Sequence, residues 1–221
     1  MEDNSGDANE YVTLGMAFSR KYIKGTIVGI VISISFQFSA INLISSYIFP
    51  FFDEININAT NGSVLYGAAG LLAALASPFL FGLVTCLTVR RGFIMAFALL
   101  TVDFLALIAS IHFNSNAGSL ATILIFAVIV EGIMAPLYWL HLPEITSGAI
   151  LSLSFSLMYF LALVTSTAGP YLLKNSSEDQ ITFLVIAVGC FLCTLFYFFF
   201  LKSTDGLTDT QKRNLYVRRE E

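Results

Sequence analysis

The chain has 221 residues, of which 57% are hydrophobic and only 12% charged, with 21 phenylalanines and a net charge of −4. Soluble domains carry about 25% charged and about 45–50% apolar residues, so a water-soluble fold is excluded. The apolar residues run in long unbroken stretches rather than short alternating ones, which excludes a transmembrane barrel and points to an all-α, polytopic membrane protein.

In chain order, the first segment is an acidic tail, residues 1–22, opening "MEDNSGDANE". A cleavable signal peptide begins with basic residues, so the first apolar run is expected to insert as a retained signal-anchor. Six transmembrane helices follow, at 25–48, 64–89, 92–112, 120–140, 148–172 and 181–201. Each approaches or exceeds the ~20 residues that cross ~30 Å of hydrocarbon. Together they define a membrane domain over 23–203, and residues 204–221 form a second tail.

Charge sets the orientation. Arg20, Lys21 and Lys24 precede the first span, Arg90 and Arg91 separate the second from the third, and Lys202, Lys212, Arg213, Arg218 and Arg219 follow the sixth. Only Lys174 falls on the other side, so the positive-inside rule predicts both termini cytoplasmic. Three glycosylation sequons, at Asn58, Asn61 and Asn175, all fall on the predicted outside.

Polar groups interrupt the spans. The end of the first reads "SFQFSAINLISSYIFP". On one continuous helix Ser35, Ser39 and Asn42 line a stripe, while Gln37 lies about 140° from Asn42. Helix-to-helix hydrogen bonds or a water-filled path both account for the stripe. Asp103 and Glu131 fall mid-span, where a charged carboxylate costs ~2.5–3.5 kcal/mol. Asp103 is read as structural. Glu131 is open between a cavity or helix-end network and internal hydrogen bonding. Pro136 removes a backbone donor and is expected to break the fourth helix, and Tyr138 and Trp139 add aromatic faces with polar handles. His112 and His141 are read as structural, and Cys190 and Cys193 as small buried hydrophobes. No residue cluster calls for a metal or cofactor, no nucleophile has a paired base, and the basic residues only flank spans. Neither an enzyme nor a nucleic-acid binder is expected.

"FQFSAINLISSY" resembles the seventh-helix signature Q-Q-x-S-G-I-N-x-x-x-Y-Y of the sugar porters, the hexose carriers of the major facilitator superfamily. "APLYWLHLPEI" resembles their tenth-helix G-P-x-P-W-x-x-x-x-E-[IL], "VRRGF" their G-R-R-P loop, and "KSTDGLTDTQKR" their tail motif P-E-T-K-G-x-[ST]-x-E-E-I. The resemblance implies that the six spans correspond to helices seven to twelve, half of a major-facilitator-type fold. It implies a sugar-like substrate, bound by Gln37, Asn42 and Trp139, and a cytoplasmic gating network of Arg90, Arg91, Glu131 and Glu144. Phe36 stands where the family has its first glutamine, Ala40 and Ala135 replace glycines, Tyr138 replaces a proline, Met158 and Tyr159 replace an asparagine–tryptophan pair, and Cys86 replaces an acid.

The expected function is therefore facilitative transport of a hexose or related small polar solute by alternating access. It would take place in the plasma membrane or an internal membrane, with a second half supplied by a homo-oligomer or a partner transporter. The alternatives are a non-transporting regulator descended from such a carrier, or an incomplete product of a longer transporter gene.

Overall fold

The computed structural model describes residues 12–84, 88–146, 148–172 and 176–218. Cys86, Lys174, Arg219, the sequon asparagine Asn175 and the acidic start lie outside the described residues. The described residues are helical, without a strand, and six helical stretches are long and apolar enough to cross a membrane.

The first crossing is two helices, α2 (Ile23–Phe38) and α3 (Ile41–Glu54), preceded by a short α1 (Leu14–Ala17). Then come α4 (Ala59–Val84) and α5 (Val89–His112). The fourth crossing joins α6 (Asn116–Ile129), a π-helical turn (Val130–Met134) and α7 (Ala135–Ile145). It is followed by α8 (Gly148–Leu172), α9 (Ser176–Phe200), and a tail with α10 (Asp209–Arg213) and a 3₁₀ turn (Asn214–Tyr216).

Caps explain why several helices start before their apolar runs. The Asn58 side chain accepts from Asn61 N at 3.0 Å and starts α4 five residues ahead of the expected 64. Thr88 accepts from Arg91 N and Ser115 from Gly118 N, setting the starts of α5 and α6. Such side-chain oxygens satisfy backbone donors that a helix leaves orphaned at its N-terminus.

α5 and α9 pack along an aromatic seam. Tyr197 stacks on Phe93 at 4.9 Å and on Phe97 at 5.2 Å, and Phe183 stacks on Phe104 at 6.1 Å. All five rings are buried. Asp103 is buried on α5 as well, at 7% exposure. By contrast, only 17% of the most apolar stretch of α4, and the same share of α8, is buried, against 61% for α2–α3. The broken crossing is thus the centre of the bundle, flanked by α8 and α4, the two most open helices.

The first crossing departs from the continuous helix expected over 25–48. Ala40 takes a left-handed conformation, φ +61°, between α2 and α3. The fourth crossing departs the other way. Pro136 does not break it, because the preceding turn widens: Ala135 N bonds back five residues to Val130 O, and Pro136 falls in the first turn of α7, where a missing N–H is cheap.

Candidate functional site

The break at Ala40 explains the polar run around it. Phe38 O, freed where α2 ends, accepts from the Cys190 thiol at 3.2 Å. Gly189 makes this approach possible: a Cβ there would lie 2.4 Å from the Phe38 ring. Ser39 Oγ returns to Phe36 O at 2.6 Å, and Ser35 bonds both Ile32 O and the Tyr197 hydroxyl of α9. Ser35 and Ser39 therefore serve internal and helix-to-helix bonds and do not line a path. The Cys190 thiol, read from sequence as inert filler, closes an orphaned carbonyl.

The same break reverses the angular argument for Gln37 and Asn42. A rotation of 100° per residue does not carry through a left-handed residue. Asn42 Nδ2 donates to Gln37 Oε1 at 2.9 Å, and Thr165 Oγ1 of α8 lies 3.5 Å from the same oxygen. Gln37 Nε2 donates to Met158 O at 3.0 Å. The two amides are thereby held together where α2, α3 and α8 meet, with the Thr165 hydroxyl beside them and nearer its own helix carbonyls, Leu161 O at 3.0 Å and Ala162 O at 3.1 Å. Sequence reasoning missed Thr165; 128 residues from Gln37, it carries no local signal.

Trp139 joins this surface through α8 rather than by direct contact with the amides. Its ring is 44% exposed, lies edge-on to Tyr138 at 5.4 Å and meets Phe155 at 5.4 Å. Phe155 is one turn before Met158, whose carbonyl holds Gln37. Between them Phe36 packs 4.4 Å from the fully buried Tyr138, whose hydroxyl lies 3.3 Å from Ser33 Oγ. The two replacements noted in the sequence, Phe36 and Tyr138, thus fill one shared volume.

The four residues assigned to gating are placed apart. Glu131 lies in the π turn, against α4, where a Cβ on Gly70 would come within 3.3 Å of its Cγ. Thirteen residues before Glu144, it is about 20 Å away along the helix axis. Arg90 donates to Phe198 O and sits 5.9 Å from the Phe198 ring, a cation at the C-terminal end of α9. Arg91 is exposed. Glu144 pairs with Lys212 of the tail at 3.0 Å, and the buried His141 Nδ1 lies 3.8 Å from its other oxygen, beyond hydrogen-bond reach.

That last pair belongs to a clasp absent from the sequence reading. The Lys202 N–H donates to the Tyr216 hydroxyl at 2.9 Å, Lys202 Nζ to Leu215 O at 3.0 Å, and Arg218 N to Lys21 O at 2.9 Å. Tyr216 is buried, which pushes its phenol above the ordinary range, and its Cβ packs near Gly25 of α2. The tail so ties the ends of α2, α7 and α9 together. Its signals in the sequence are the stretch "KSTDGLTDTQKR" noted above and, within it, Thr208 followed by Gln211, which form a capping box for α10.

No curated protein matches the chain. A family model described as "Sugar (and other) transporter" matches residues 2–215, nearly the whole length. Six apolar crossings, a polar break in the central one and this match agree: the chain belongs to the sugar (and other) transporter family and is a multi-pass, sugar-porter-like membrane transport protein.

Proposed function

We propose that this protein carries a hexose or a related small polar solute by facilitated diffusion, through alternating access. The six crossings form the bundle equivalent to helices seven to twelve of a sugar porter, with both termini cytoplasmic. A second bundle completes the pathway: a second copy, a partner transporter half, or further sequence of the same polypeptide. Gln37, Asn42 and Trp139 contact the substrate, and Glu131, Glu144, Arg90 and Arg91 act in the conformational change.

The observation that carries this reading is the Gln37–Asn42 amide pair, tied to Met158 O of α8, at a helix break. Discontinuous helices with polar groups at the break are where transporters hold substrate near the bilayer midplane. A buried and a half-buried amide that already engage one another can exchange that bond for sugar hydroxyls without leaving a donor or acceptor unpaired.

The test is uptake of radiolabelled hexoses into proteoliposomes, with the protein alone and with candidate partner bundles. Saturable uptake that falls at least about 10-fold in Gln37→Ala supports the proposal. Absence of uptake under every pairing, from protein that elutes folded, overturns it. Trp139 is the only tryptophan in the sequence, so hexose binding can also be followed by its fluorescence without a closed pathway.

A further inference from the structure

We infer that the substrate face continues beyond the amides to a pair of hydroxyls, Ser45 of α3 and Tyr66 of α4, which reads adjacent hydroxyls of a polyhydroxylated substrate; this rests on the transport reading above. Ser45 follows Asn42 by three residues, on the same face of α3 and about 4.5 Å further along its axis. That offset is comparable to the width of a pyranose ring. A sugar held at Asn42 therefore reaches Ser45 without crossing to another surface.

The pair has the chemistry for the task. Ser45 Oγ and the Tyr66 hydroxyl lie 3.3 Å apart, beyond the usual 2.5–3.0 Å range for two hydroxyls. Such a long bond is opened at little cost. Each hydroxyl can donate one bond and accept others, so the pair matches two neighbouring sugar hydroxyls in either sense. Ser45 is exposed, whereas the Tyr66 ring is half-buried against the apolar core, which holds its hydroxyl in place. One turn on from Tyr66, Gly70 makes room for Glu131, so an acidic acceptor borders the pair.

Two further observations favour a ligand over lipid on this surface. The polar groups form a continuous belt over adjacent elements: Thr165 on α8, Gln37 on α2, Asn42 and Ser45 on α3, Tyr66 on α4 and Glu131 in the π turn. Acyl chains give such groups no hydrogen bonds. In addition, Gln37 is already engaged through both its nitrogen and its oxygen. Gln37 must exchange those bonds to take a substrate, whereas the Ser45–Tyr66 hydroxyls keep acceptor capacity to spare, so the pair adds to the discrimination that the amides supply.

The experiment titrates purified full-length protein with a panel of hexoses and their mono-deoxy analogues, read by Trp139 fluorescence and by thermal shift. Wild type is compared with Tyr66→Phe, Ser45→Ala and Gln37→Ala, each checked for helical content and elution. The expected result is a loss of about 5- to 10-fold in affinity for the best hexose in both Tyr66→Phe and Ser45→Ala. One mono-deoxy analogue should bind wild type and Tyr66→Phe equally, because the missing hydroxyl and the missing phenol are the same contact. If both variants keep full affinity while Gln37→Ala loses it, the pair is only a bond between α3 and α4 and the inference is overturned. If no sugar moves either signal in wild type, the transport reading falls together with it.

Discussion

The α5–α9 seam and the α2–α3 crossing both traverse the bundle, yet they are built on opposite terms. The first is two unbroken helices held by stacked rings, among them Phe93, Phe97 and Tyr197. The second is interrupted at Ala40 and held by Gln37 reaching out to α8, Ser35 reaching out to α9 and Cys190 of α9 reaching in to Phe38 O. Dispersion between rings is indifferent to small sliding, whereas a chain of directional hydrogen bonds has discrete arrangements. The seam is suited to carrying stability and the interrupted crossing to carrying a change of state.

The sharpest way to break that contrast is to truncate a seam ring. Phe97→Ala should cost about 3–5 kcal/mol, seen as a large fall in melting temperature in detergent. A small fall would mean that the seam is not the structural half. Gln37→Ala should do the reverse: melting changes by the equivalent of only about 0.6–1 kcal/mol, while hexose affinity drops about 10-fold or more. Loss of folding in that variant would erase the distinction.

A gentler probe is Ala40→Gly. A left-handed alanine is strained by about 1–2 kcal/mol, and glycine removes much of that, so the variant should melt about 1 kcal/mol higher. Destabilisation instead would mean that the break is imposed by its neighbours at no backbone cost. The smallest effect belongs to the clasp. A double-mutant cycle of Glu144→Gln and Lys212→Met should give a coupling of about 0.2–1 kcal/mol, shrinking as salt is raised from 0.1 to 1 M. A salt-independent coupling would place the pair in a drier setting than its half-exposed carboxylate indicates.

Much of this architecture was legible in the residues. The apolar runs mark six crossings, and the polar cluster near Gln37 marks the central one. Other features were hidden for physical reasons. Alanine is the best helix former, so Ala40 itself does not announce a left-handed residue, and the hint lay in the glycine that the family signature has there. Pro136 signals a break that the widened turn before it absorbs. The Gln37–Thr165, Ser45–Tyr66 and Glu144–Lys212 pairs join residues from different elements, where periodicity is silent. Of the site residues, Gln37 and Asn42 are brought together, while Trp139, on α7, meets α8 at Phe155, one turn from the carbonyl that holds Gln37.

The widened turn at Val130–Met134 has a consequence of its own. It inserts one residue more than an α-helical turn needs, which offsets everything downstream by about 100° in azimuth. Trp139, His141 and Glu144 owe their bearings to that surplus. Winding all of its residues into a regular spiral would swing the tryptophan away from Phe155 and the carboxylate away from Lys212, whereas deleting a single residue of the turn, such as Ile133, would leave both facing as they do. One peptide unit thus sets the compass heading of the cytoplasmic third of the fourth crossing.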